Sequence, residues 1–303
     1  MDEYLKKEIL NIEKKRLVVS KIRLKNKEYV LKKNLDIYSY ADVSNKKRAL
    51  DILFDNGINV ARICDIFRTK TGIYELQEYI AGHRYDGKFI FKLYQAIGKM
   101  HSLSLTKEIF CSTKSFYNFN FECRNIKLKK LLIDFKYKFY YEPRKNICRL
   151  IDKTIYSLEL REIIKIYDDI YKKEEKKISS SNTVLCHNDL SEGNIIINDG
   201  KIFFIDFDFY RYNYLYCDLV DVFLPRELEL DTFLEEFPKY KKRINKIIKI
   251  YSSYVPIDYE SFLDVLKLKL VSSYFYFLIF TEDEVKRKEN IYNMLTILNI
   301  DKI

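Results

Sequence analysis

The stretch "HNDLSEGNIII", His187–Ile197, is followed shortly by "IDFD", Ile205–Asp208. Between them, Asp199-Gly200 is a turn dipeptide, so "NIIIN" and "KIFFID" on either side are predicted as the two short strands of a hairpin. The short strand "TVLC" before His187 leaves the His, Asp and Asn in a loop. His-x-Asp-x-x-x-x-Asn followed by a strand ending in Asp supplies what phosphoryl transfer requires. That is a carboxylate beside the acceptor hydroxyl, plus an amide and a second carboxylate to hold magnesium. Asp189 is the candidate base. Asn194 is a candidate metal ligand through its side-chain oxygen, and Asp206 a candidate bridge between metal and nucleotide phosphates. His187 is expected to shape the loop. Asp208 reads equally as a second metal ligand or as an ordinary Asp at a strand end. Asp218, opening the helix "CDLVDVF", is expected to cap it or support the catalytic loop. Asp and Asn are ordinary turn residues, so any two of these positions mean little. Four required identities on a hairpin mean more.

The whole chain sets the bounds. Its 303 residues suffice for one large domain or two lobes. Apolar residues make up 48%, enough for a sizeable core and against disorder. The longest apolar runs, such as "YFYFLIF" at Tyr274–Phe280, are too short to cross a bilayer, and the charged start "MDEYLKKEIL" does not read as a signal peptide. Six cysteines form no Cys-x-x-Cys pair, and only three histidines accompany them. That argues against a zinc site and for a reduced, cytoplasmic setting. A net charge of +10 would suit a polyanion, but the lysines are spread along the chain and no nucleic-acid motif accompanies them. Compositional bias is the preferred reading, with no nucleic-acid partner expected.

Upstream, "VVSKIRL" (Val18–Leu24) alternates in period two, "KNK" makes a tight turn, and "EYVLK" (Glu28–Lys32) returns as a second strand. A helix is predicted over Asp42–Asn56, with Val43, Lys46 or Lys47, Leu50, Leu53 and Phe54 on one stripe and Gly57 as its stop. "VARICDIFR" and "GIYELQEYI" are two further strands joined by "TKTG". This predicts a small antiparallel sheet with one inserted helix, ending near Ile80. From Asp86 the spacing of Ile90, Leu93, Tyr94, Ile97 and Met100 is helical. So are roughly Lys127–Lys177, interrupted at Pro143, and the chain from about Leu228 on.

"CHNDLSEGNIII" and "FIDFDFYRYNYLYCDLVDVF" resemble the signature regions of the choline and ethanolamine kinases and the aminoglycoside phosphotransferase superfamily, which includes spore-coat-type members. The resemblance is strong over Val184–Phe223. It is weaker over Val18–Leu105, where "YVLK", "LQEYIAG" and "AIGKMHSL" fall in family order, and it fades after Arg226. It implies an α+β, protein-kinase-like fold of two lobes with ATP in the cleft: a small antiparallel β lobe (residues 1–80) that binds nucleotide, and a larger helical lobe (81–303) for catalysis and substrate. It also implies that Lys32 pairs with nucleotide phosphates and that Gln77, Glu78, Tyr79 and Ile80 form the hinge whose backbone holds adenine.

Two departures stand out. The first glycine is Gly57, so no glycine loop precedes Lys32. That points away from a protein kinase more than away from ATP. The small-lobe helix should present a carboxylate to Lys32, yet the inward slot holds Lys46 and Lys47, and Asp42 lies a turn earlier. Lys32 is therefore expected to find no carboxylate on that helix and to turn towards Asp206 or solvent. The leading reading is an ATP- and Mg2+-dependent phosphotransferase acting on a hydroxyl of a small cationic molecule. Its rival is a spore-coat-type protein that keeps the fold with reduced or no catalysis. The acidic run "RELELDTFLEEF" (Arg226–Phe237) and the aromatics of "FDFYRYNYLY" would suit a cationic acceptor. The preferred reading of them is a solvated helix face and a Tyr-rich core.

Overall fold

Strands β1 (Val19–Leu24) and β2 (Lys27–Lys33) form a hairpin closed by Lys25 and Asn26, both left-handed with φ of 47° and 64°. Two consecutive positive φ values are what a two-residue turn needs to match the twist of its strands. The computed structural model describes residues 3–15, 19–34, 39–103, 157–178, 183–223, 236–280 and 283–300. They fall into two units: residues 1–112 with 187–211, and residues 113–186 with 212–303.

In the first unit β3 (Ile63–Thr69) and β4 (Gly72–Glu78) complete an antiparallel sheet of order β1-β2-β4-β3. Period-two alternation gives the sheet two different faces. Leu31, Tyr74, Leu76 and Ile22 are buried on one, under Leu5 and Ile9 of helix α1 (Glu3–Lys15). Lys32, Glu75 and Gln77 alternate with them and are also buried. Lys32 stands directly opposite Glu75 in the β2–β4 ladder. Helix α1 was not expected from the sequence. Its inward pair, Leu5 and Ile9, is four residues apart, the minimum helical signal, and lies among lysines and glutamates.

Helix α2 (Tyr40–Asp55) begins with a reciprocal capping box. The Ser39 side chain accepts from the Asp42 N–H, and the Asp42 carboxylate accepts from the Ser39 N–H at 2.7 Å. Val43, Lys46, Ala49, Leu50 and Leu53 are its buried residues. Phe54 corrects the predicted stripe: it is exposed, with the Arg62 guanidinium 4.0 Å above its ring.

A second sheet, of order β5-β7-β8, joins β5 (His83–Arg84) to the hairpin of β7 (Ile195–Asn198) and β8 (Lys201–Phe204). Gly82 permits this approach, since a Cβ there would stand 2.3 Å from the Ile197 carbonyl oxygen. Strand β8 is tied to the segment before β3 by Ala61 N–H to Phe204 O (3.2 Å) and Phe204 N–H to Asn59 O (3.0 Å). Helix α3 (Ile90–His101) packs on β8 and buries the predicted Ile90, Leu93, Tyr94, Ile97 and Met100.

In the second unit β6 (Thr183–Cys186) pairs with β9 (Arg211–Tyr214), beside helices α4 (Ser157–Lys177), α5 (Tyr216–Phe223), α6 (Phe237–Tyr251), α7 (Tyr259–Phe280) and α8 (Glu284–Leu298). Helix α7 packs on α4, α5, α6 and α8, with Phe262, Leu266, Val271 and Phe275 buried. Among the described residues no helix is long and apolar enough to cross a membrane. The predicted helical stretch before residue 157, with Pro143, and most of the acidic run at Arg226–Phe237 lie outside the described residues.

Candidate active site

The loop from His187 to Asn194 is locked by hydrogen bonds before any ligand is considered. His187 is fully buried. Its Nε2 lies 2.8 Å from the Ile205 carbonyl, which can only accept, and its Nδ1 accepts the Asp189 N–H at 3.3 Å. The ring therefore carries its proton on Nε2 and ties the loop to the strand end at Ile205. Phe207 packs against it with ring centroids 4.4 Å apart. Asn188 is left-handed (φ 64°), and its Nδ2 donates to the Phe209 carbonyl at 2.9 Å. Asn194 donates from Nδ2 to the backbone oxygen of Asp189 (2.7 Å) and to its Oδ2 (3.0 Å). This fixes the Asp189 carboxylate and turns the Asn194 amide oxygen away from it. The Ile205 N–H bonds the Asn194 carbonyl at 3.0 Å, which sets Asn194 beside Asp206. Asp206 is itself left-handed (φ 63°, ψ 55°), a conformation uncommon outside glycine and one that Asp tolerates.

A charge network converges on this loop from the first sheet and α2. The Lys32 ammonium contacts Asp206 and lies 2.7 Å from Asp208 Oδ2. Lys46 lies 2.9 Å from Asp208 Oδ1 and 2.9 Å from Glu75 Oε1. Asp42 serves the cap of α2 and forms no pair with Lys32. The helix thus delivers to the interior a cation where the resemblance led one to expect a carboxylate. Burial works against the charge of Lys32, but Asp208 and Asp206 outweigh it and raise its pKa above the ordinary ammonium range. Burial pushes Asp208 up, yet Lys46 and Lys32 prevail and hold it below the usual carboxylate range. For Glu75 burial wins over Lys46, and its pKa is raised.

The donor set fits a hard divalent cation. Two ammoniums face three carboxylates, an excess of negative charge. The Asp206 side chain is 44% exposed, against 13% for Asp208. Both Asp208 oxygens are already engaged by lysines, so Asp206 and the Asn194 amide oxygen are the more available oxygens.

Of the expected hinge, Gln77 and Glu78 end β4, and Tyr79 and Ile80 leave it. The Glu78 N–H donates to the Arg62 carbonyl at 2.9 Å, and its carboxylate takes the Arg62 guanidinium at 2.8 Å. The Lys21 ammonium sits 3.8 Å over the Tyr79 ring. Lys32, the hinge, His187, Asp189, Asn194, Asp206 and Asp208 all belong to the first unit. Asp218 belongs to the second, fully buried in the first turn of α5, where a carboxylate suits the helix dipole. Glu75 went unremarked in the sequence. Its signal is the alternation of Tyr74 and Leu76 with Glu75 and Gln77, which places an acid on the same face as Lys32.

Known proteins resemble the chain in sequence and in fold. The sequence model of the phosphotransferase enzyme family (APH) matches residues 18–242. A choline/ethanolamine kinase of Mus musculus is 32% identical over 108 residues, a match that takes in 33% of this chain and 23% of that protein. Among solved structures, the amicoumacin kinase hAmiN, in complex with AMP-PNP, Ca2+ and Ami, superposes with a TM-score of 0.57 at 16% identity, covering 99% of this chain and 96% of that one. A choline kinase of Cryptosporidium parvum gives 0.54 at 16% identity, with 94% and 88% covered. The choline kinase LicA of Streptococcus pneumoniae gives 0.52 at 15%, with 96% and 98% covered. At these identities the structural likeness establishes the fold, which is α+β and protein-kinase-like.

Proposed function

The chain belongs to the phosphotransferase enzyme family, and we propose that it transfers the γ-phosphate of ATP to a hydroxyl of a small molecule, with Mg2+ as the accompanying ion. The observation that carries this reading is the Asn194 Nδ2 bond to Asp189 Oδ2. It orients one carboxylate oxygen and leaves the other to take a proton from an acceptor hydroxyl. A bound divalent ion would offset phosphate charge, with Asp206 and the Asn194 amide oxygen as its ligands and Asp208 as a further candidate. Lys32 exchanges its carboxylate partners for phosphate oxygens when nucleotide binds. His187 supports the site by tying the loop to Ile205, and Asp218 has its structural role in the first turn of α5, in the second unit. The hinge backbone, at Tyr79 and Ile80 past the end of β4, is the candidate contact for adenine.

The division into a nucleotide lobe (1–80) and a catalytic and substrate lobe (81–303) is part of this proposal. So is a cationic acceptor of choline, ethanolamine or aminoglycoside type, supported by the names of similar choline kinases and of a similar aminoglycoside phosphotransferase. Ligand linkage gives the test. Millimolar Mg-ATP should raise the melting temperature, by an amount equivalent to about 2.7 kcal/mol at a hundred times Kd. Lys32→Ala should reduce that shift. The absence of any shift in the unaltered protein would refute the reading and favour a chain that keeps the fold without the catalysis.

A further inference from the structure

We propose that Lys46 is a positioning residue for nucleotide binding: it keeps Asp208 compensated, so that Lys32 is free to leave Asp208 for the phosphates. This rests on the nucleotide reading above.

The two lysines hold opposite oxygens of one carboxylate, Lys46 on Oδ1 at 2.9 Å and Lys32 on Oδ2 at 2.7 Å. They are not equivalent. Lys46 is anchored from behind by Glu75, which is wholly buried, and Oε2 of Glu75 has no hydrogen-bond partner. Its helix is fixed by the Ser39–Asp42 capping box and by buried Val43, Leu50 and Leu53. Lys32 instead bridges Asp208 and the far more exposed Asp206.

When Lys32 turns to phosphate, Asp206 can be solvated by water or cation. Asp208 has little access to water, and an uncompensated buried charge is costly. Lys46 removes that cost, because Asp208 keeps one ammonium throughout. Without Lys46, Lys32 would be the sole counter-ion of Asp208, and the phosphates would compete with a carboxylate for it. The helix thus controls the phosphate-binding lysine with a cation acting on the lysine's partner, in place of an anion acting on the lysine itself. Glu75 supplies the charge balance that makes a lysine tolerable at that helix position.

The test replaces the buried pair together, as Lys46→Met with Glu75→Gln, so that neither charge is stranded. ATP binding is measured by calorimetry, with Mg2+ and separately in EDTA, where the lysine–phosphate contact is read without a metal. The expected result is a fall in affinity of about tenfold or more in both conditions, about 1.4 kcal/mol. Adding Asp208→Asn should restore metal-free binding, because Lys32 is then no longer held back. A purely structural role for Lys46 would not produce that restoration. Lys46→Arg, which keeps the charge, should bind metal-free ATP more tightly than the pair variant. Affinity unchanged in the pair variant, or no recovery on adding Asp208→Asn, would overturn the proposal while leaving the nucleotide reading intact. Failure of the unaltered protein to bind ATP would overturn both. Should the pair variant not fold, Asp208→Asn alone decides: it is expected to bind metal-free ATP at least as tightly as the unaltered protein, and weaker binding refutes the role assigned to Lys46.

Discussion

Removing the Lys46 ammonium alone should be among the most destabilising single changes available in the first unit. In Lys46→Met the methylenes of the side chain are largely retained, so the perturbation is electrostatic. Glu75, wholly buried and with only one of its two oxygens hydrogen-bonded, loses its ion pair, and Asp208 keeps Lys32 alone. Removing one member of a buried pair costs about 3–5 kcal/mol, because the remaining charge stays in the interior. Replacing both members by neutral groups is often close to neutral. Lys46→Met is therefore expected to lower stability by about 3–5 kcal/mol, and Lys46→Met with Glu75→Gln by only about 1 kcal/mol. At about 2–4 °C per kcal/mol, the single variant should melt at least about 6 °C lower than the unaltered protein. Chemical denaturation at neutral pH, monitored in the absence of nucleotide, gives the comparison. If the single variant is no less stable than the double, Lys46 and Glu75 are not a buried pair, and the charge network drawn around Asp208 is wrong.

Asp189→Asn should leave ATP binding nearly intact and reduce turnover by about a hundredfold to ten-thousandfold, read as a loss in kcat. Leu31→Ala, at a fully buried position between β2 and α1, should cost about 2–5 kcal/mol in a denaturant melt. Asp258 caps α7 by accepting the Ser261 N–H at 2.7 Å. Burial would raise its pKa, but the Ser261 and Tyr216 hydrogen bonds outweigh this and lower it. A lowered acid binds its proton less readily folded than unfolded. Its contribution is therefore present above about pH 4 and lost as pH falls through the folded value. Asp258→Ala should lower the melting temperature at pH 7 by the equivalent of about 1 kcal/mol, and by progressively less below pH 4.

The β7–β8 hairpin was legible because several signals coincide there. The Asp199-Gly200 turn, two short apolar strands and four polar identities at fixed spacing each constrain the others. The four-stranded sheet was legible from alternation and from its turns. Helix α1 was not, because two apolar residues among charges are too few to establish a period. Strand β5, with two residues, and β9, with four, are defined by their partners and carry no pattern of their own. The charge network was half legible. The stripe on α2 pointed inward at Lys46 or Lys47, but one residue is a rotation of about 100° on a helix. Only packing decides that Lys46 is buried while Lys47 turns out to meet Asp51 at 2.8 Å. Phe54 was misassigned for a related reason: at the last turn of the helix, stacking on Arg62 competes with burial.

Transfer of label from γ-radiolabelled ATP to a hydroxyl acceptor, assayed with Mg2+ against choline, ethanolamine and a set of aminoglycosides, tests the central claim most directly. The expected result is label on at least one acceptor with the unaltered protein, transferred about a hundredfold or more slowly by Asp189→Asn. Label transferred equally by Asp189→Asn, or no transfer to any acceptor from a protein that Mg-ATP does not stabilise, would contradict it.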